Sequence, residues 1–93
     1  MEMEEALRVF ETSVGWASDT AVAGVVGRVR REYERVGTVA AQNNGSAERF
    51  KVVLRRAQLE VKLIYGGWRP WLARVVAEVY PRRLLPPLLT HEM

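Results

Sequence analysis

Ser46-Ala47-Glu48-Arg49-Phe50-Lys51-Val52-Val53-Leu54-Arg55-Arg56-Ala57-Gln58-Leu59-Glu60-Val61-Lys62-Leu63-Ile64-Tyr65 is the stretch whose reading decides the fold. Phe50, Val53, Leu54, Ala57, Val61, Ile64 and Tyr65 recur at steps of 3 and 4, which gathers them on one face of an α-helix. Ser46 offers a side-chain oxygen to the open amides of the first turn, and Gly66-Gly67 breaks or bends the far end. A long amphipathic helix is therefore expected over 47–66.

Upstream, Ser18 or Asp19 is placed to cap a second helix over 18–37, with Gly37 as its left-handed stop. Its apolar set, Val22, Val25, Val26, Val29, Tyr33 and Val36, again follows helical spacing. Gly24 and Gly27 lower its intrinsic propensity and leave room for a neighbouring backbone. Before it, residues 1–17 read as an acidic lead-in. Glu4 to Glu11 forms a short helix bearing Leu7 and Phe10, Ser13-Val14-Gly15 interrupts it, and Trp16 plugs the junction. The nine residues from Thr38 to Ser46, with Gln42, Asn43, Asn44 and Gly45, form a loop.

Downstream, Pro70 suits the first position of a fourth helix over 70–80, where its missing amide hydrogen is not needed. Leu72, Val75, Val76 and Val79 are its expected inner face, with Trp71 packed, and Pro81 ends it. The tail over 81–93 sets Pro81, Pro86 and Pro87 among Leu84, Leu85, Leu88 and Leu89. It is too proline-rich for a regular helix and too apolar for a linker, which predicts packing on the bundle or on another chain. The whole chain, 1–93, reads as one all-α domain, a small bundle of about four helices.

Composition narrows the chemistry. The chain has 93 residues, no cysteine and a single histidine, His91. That excludes disulfides, thiolate catalysis, a hydrolytic triad, Cys-ligated zinc and a two-His metal site built from this chain alone. No glycine-rich phosphate loop is present, and Glu32, Glu34, Glu48 and Glu60 read as surface carboxylates. The expectation is a non-enzymatic protein with no cofactor and no small-molecule substrate. Apolar runs stop well short of the roughly 18 to 20 residues of a membrane span, and Met1-Glu2-Met3-Glu4-Glu5 is unlike a signal sequence. A soluble, cytoplasmic protein without membrane contact is expected.

Charge points to a polyanion. Net charge is +3, yet residues 1–11 carry Glu2, Glu4, Glu5 and Glu11 against Arg8, so the remainder is +6. Twelve of the fourteen basic residues are Arg, whose planar fork of donors suits phosphate oxygens. Arg28, Arg31 and Arg35 share one side of the second helix. Lys51, Arg55 and Lys62 line the third, Arg69 continues their row across the glycines, and Arg49 and Arg56 make a shorter one. Cations displayed in register on stiff helices can match successive phosphates, provided they are neither scattered over unrelated sides of the molecule nor consumed by internal ion pairs. Trp68 and Trp71, flanking Arg69, suit base stacking or a cation cage as well as core packing.

The segment from Arg55 through Tyr65-Gly66-Gly67-Trp68-Arg69 resembles the small subunit of type III-A CRISPR effector complexes, the Csm type. In that family an amphipathic helix leads into a Tyr, two or three small residues and an Arg; here Trp68 stands where a Gly is expected. The stretch from Asp19-Thr20 to Tyr33-Glu34-Arg35 is similar to an earlier helix of the same family. The resemblance implies a helical, non-catalytic subunit that lines the groove for guide and target RNA and touches other subunits and copies of itself. It implies RNA-backbone contacts at Arg28, Arg31, Arg35, Arg55, Lys62 and Arg69, and a protein interface at Leu59 and Leu63. A different reading makes the chain a helical interaction module, a dimer or adaptor, that docks through its Leu-rich tail at Leu84 and Leu85 and binds no nucleic acid. A helix-turn-helix DNA regulator is disfavoured because the 38–46 loop is too long for its turn.

Overall fold

In a computed structural model of the chain, which describes residues 3–14, 19–37 and 46–87, the protein is an all-α bundle. Its elements are α1 (Met3–Val14), α2 (Thr20–Gly37), α3 (Ser46–Tyr65) and α4 (Pro70–Val79), followed by a single 3-10 turn (Arg82–Leu84). The 38–45 loop, Trp16, Ser18, the end of the tail from Leu88 and the capping side chain expected of Ser46 lie outside the described residues.

α3 is the spine, packed against α1, α2 and α4. Phe50 and Leu54 are fully buried on it, Ala57 and Val61 nearly so. They meet Val22, Val25 and Val29 of α2 and Ala6, Leu7, Phe10 and Val14 of α1 in one apolar cluster. Tyr33 and Phe50 hold their rings 5.5 Å apart at 57°, across the far end of the α2–α3 seam. Each large side chain buried here contributes about 1.5–3 kcal/mol, which offsets the weak intrinsic propensity of the valine-rich α2.

Asp19 starts α2, its Oδ1 accepting the backbone N–H of Ala21 at 2.8 Å and of Val22 at 3.2 Å. Where α3 ends, Gly67 takes φ +97°, the left-handed position that closes the helix. The Trp68 amide there donates to Leu63 O and the Gly67 amide to Ile64 O, both at 3.0 Å, which satisfies carbonyls that the helix end would otherwise leave open. Arg69 accepts the Leu72 and Ala73 amides on its own carbonyl and Pro70 opens α4, as the sequence predicts.

Five expectations are corrected. α1 does not stop at Glu11 but runs through Ser13 to Val14, with Val14 in the core and the Ser13 hydroxyl donating to Phe10 O at 2.7 Å. α4 turns Ala73 and Ala77 inward, not Val75 and Val79, which are 48% and 73% exposed. The alanines let α4 lie close on α3, and α4 is apolar on so many sides that its pattern alone does not select the inner one. Trp71, expected to pack, is 66% exposed, and Tyr65, expected in the α3 stripe, is 57% exposed. No neighbouring backbone approaches Gly24, where an added Cβ would meet nothing within 4 Å.

Candidate nucleic-acid interface

The predicted cations divide into those the fold uses and those it leaves available. Arg55 donates from Nε to Pro86 O at 2.9 Å and from Nη2 to Leu85 O at 2.7 Å, pinning the tail to α3. Next to it, Arg56 Nη1 lies 2.6, 2.8 and 2.9 Å from the carbonyls of Ala77, Glu78 and Tyr80. α4 has no basic residue in its last turn, and Pro81 follows, so its terminal carbonyls take their donor from α3 instead. Lys51 pairs with Glu48 at 3.1 Å and Arg35 with Glu32, its Nε at 3.2 Å from Oε2. The row expected along α3 is thus not a free one: two of its members are occupied within the chain.

Arg28 reaches across from α2 to Glu60, which is 5% exposed and not the surface carboxylate expected from sequence. Burial pushes the Glu60 carboxyl above its usual range; Arg28 and, more weakly, Arg74 pull it down, and Glu78 adds to the rise. The hydrogen bond from Arg35 holds Glu32 below its usual range against a smaller opposing effect of burial, and in return raises Arg35 further.

Arg31, Lys62 and Arg69 have no hydrogen-bond or ion-pair partner among the described residues. They do not share one face. Lys62 lines an apolar groove with Leu59, Val14, Tyr65, Pro86 and Pro87, between the end of α1 and the tail. Arg31 stands on the opposite side of α3, in a cleft between α2 and α4, together with Arg28, Arg74 and Trp71. Arg69 is exposed at the α3–α4 turn. The cleft continues into a more acidic groove lined by Glu32, Arg56, Glu60 and Glu78.

The proposed protein-contact leucines also separate. Leu85 is buried, 5% exposed, so it belongs to the bundle, whereas Leu84 is 56% exposed. Leu59 and Leu63 are half-buried on α3. Arg74 was not singled out as a contact, and Val75 and Val79 were expected inside; the signal in the sequence for an outer stripe with Trp71 is the four-residue repeat of large apolar groups on α4 beside an i,i+4 Arg74–Glu78 pair at 3.0 Å. Among the described residues no group of three or more His, Cys, Asp or Glu side chains is placed to hold a metal, and no helix is long and apolar enough to cross a membrane.

Fold and site together define a small, basic, all-α bundle with a cationic cleft. No protein-family model, curated protein or solved structure matches the chain.

Proposed function

We propose that this chain is a non-catalytic, RNA-binding structural subunit of a ribonucleoprotein. The resemblance in the Tyr65-Gly66-Gly67-Trp68-Arg69 segment directs that proposal to the small subunit of a type III CRISPR effector complex. The observation that supports it best is the α2–α4 cleft, where Arg31 gathers with Arg28, paired to Glu60, and Arg74, paired to Glu78, beside an exposed tryptophan. A cleft with an excess of guanidinium groups attracts a phosphate polymer and gives binding that weakens with salt. The RNA contact is shorter than the rows expected from sequence: it centres on Arg28 and Arg31 of α2 with Arg74 of α4, and it leaves Arg55 and Arg56 to the fold.

The test is binding to single-stranded RNA and to RNA duplex across a salt series. Arg31→Glu with Arg35→Glu should weaken binding and flatten the log-log salt slope by roughly 0.7 for each lost single-strand phosphate contact. Unchanged affinity would refute the reading. Purification with the natural partners, followed by identification of co-eluting RNA and protein, tests the assignment to an effector complex.

The Trp71–Val75–Val79 stripe and Leu84 favour a second reading, a protein-interaction module whose basic faces serve only solvation. A tight homodimer free of nucleic acid, with a low absorbance at 260 nm relative to 280 nm, would support that reading over the first.

A further inference from the structure

Trp71 has an unusual position for the largest side chain of a thin bundle. It is 66% exposed at the second residue of α4, and its neighbours across the cleft are the Gly24 and Val25 positions of α2. The Gly24 wall carries no side chain, and space there is open to at least 4 Å from where a Cβ would stand. Around this gap the charges are lopsided. Glu60, the carboxylate lining the cleft, is taken by Arg28. Arg74 is held by Glu78 in an exposed pair, the kind that a competing anion displaces at little cost. Arg31 folds back over its own helix, its Nη1 3.5 Å from the place of a Cβ on Gly27, and it has no ion-pair partner among the described residues.

From this juxtaposition we infer that the cleft is a seat for one nucleotide unit of a single-stranded RNA, its base stacked on the Trp71 indole in the gap left by Gly24 and its phosphate held by Arg31 with Arg28 and Arg74. The positive charge turns away a cationic guest, so the aromatic face serves a planar group that brings its own negative charge. A base in a continuous duplex keeps its faces covered by its neighbours, whereas an unpaired base offers one to the indole. This inference rests on the RNA-binding reading and adds to it a base-dependent component at a single residue.

The experiment compares a short oligouridine with an abasic sugar-phosphate strand of equal length at low salt, using the full chain. Trp71→Ala should weaken oligouridine binding at least about fivefold and leave the abasic strand unaffected. Oligouridine should quench the tryptophan emission of Trp68→Phe protein more than that of Trp71→Phe protein. Trp71 is largely exposed, so the variant is expected to keep its helical circular dichroism. If Trp71→Ala binds oligouridine as tightly as the parent while Arg31→Glu binds less, the seat is overturned and the RNA-binding reading survives. If the parent chain binds neither strand, both fall.

Discussion

Arg56 on α3 places its Nη1 2.6 Å from the Ala77 carbonyl at the end of α4, twenty-one residues along the chain. One guanidinium thereby closes a helix that has no cap of its own. Because Glu78 and Tyr80 carbonyls share the same nitrogen, losing it leaves several acceptors short of a donor at once.

Arg56→Ala is therefore expected to destabilise the protein by about 1–3 kcal/mol, and to raise amide exchange in α4 before the rest of the bundle. Arg49→Ala, at an exposed position on the same helix, should stay within about 0.5 kcal/mol. Urea unfolding with hydrogen exchange on each variant distinguishes the two; equal effects would remove the capping role.

Leu54 is fully buried at the meeting point of α1, α2 and α3. Leu54→Ala should cost about 2–5 kcal/mol, a large part of the roughly 5 kcal/mol or more that holds a small domain together. A thermal melt followed by circular dichroism should show a broad transition or none.

The two helix-terminal and helix-interior glycines should respond in opposite directions. Gly67→Ala forces a Cβ into a left-handed backbone and is expected to destabilise by about 1–2 kcal/mol. Gly24→Ala meets open space in a helix and should stabilise by about 0.4–1 kcal/mol, while its methyl narrows the cleft. Denaturant midpoints of the two variants check this directly.

Glu60 and Glu32 predict opposing dependences on pH. Burial raises the Glu60 carboxyl in the folded state, so the native protein holds that proton more tightly than the unfolded chain does. Its contribution is fully present below the unfolded value and is lost as pH rises through the folded one. Glu32 is lowered by its hydrogen bond from Arg35, so its contribution exists above the unfolded value and is lost as pH falls through the folded one. Melting temperatures between about pH 3 and 8, near and above the ordinary carboxylate value of about 4.3, should show Glu60→Gln removing part of the decline toward neutral pH. Glu32→Gln should remove part of the acid-side loss.

Val79 is 73% exposed on the outer stripe of α4. Val79→Lys should change stability by no more than about 0.5 kcal/mol. If the stripe joins copies of the chain, the same substitution lowers the scattering mass at high concentration; an unchanged mass would exclude the stripe from self-association.

The faces of α2 and α3 were legible because one side of each helix is apolar and the other charged. Val22, Val25, Val29, Phe50, Leu54 and Ala57 went to the core where their spacing placed them. α4 resisted the same reading, since Trp71, Leu72, Val75, Val76 and Val79 surround it and two alanines, the least conspicuous of its apolar residues, do the packing. The candidate site was legible only in part. Arg28 and Arg31 do line one cleft, but the Trp71 and Arg74 that face them come from a helix forty or more positions further along. Arg55, Arg56 and Glu60 looked like surface charges because their partners are twenty-one to thirty-two residues distant.

Local sequence determined what local physics controls: helices where apolar groups recur every three or four residues, a cap at Asp19, a helix break at Gly66-Gly67 and an excess of arginine. Tertiary structure alone decided which guanidinium groups close helix ends and which stand in the cleft. A long side chain reaches any carbonyl or carboxylate that packing brings near it, and that proximity is a property of the assembled bundle, not of its neighbours in the chain.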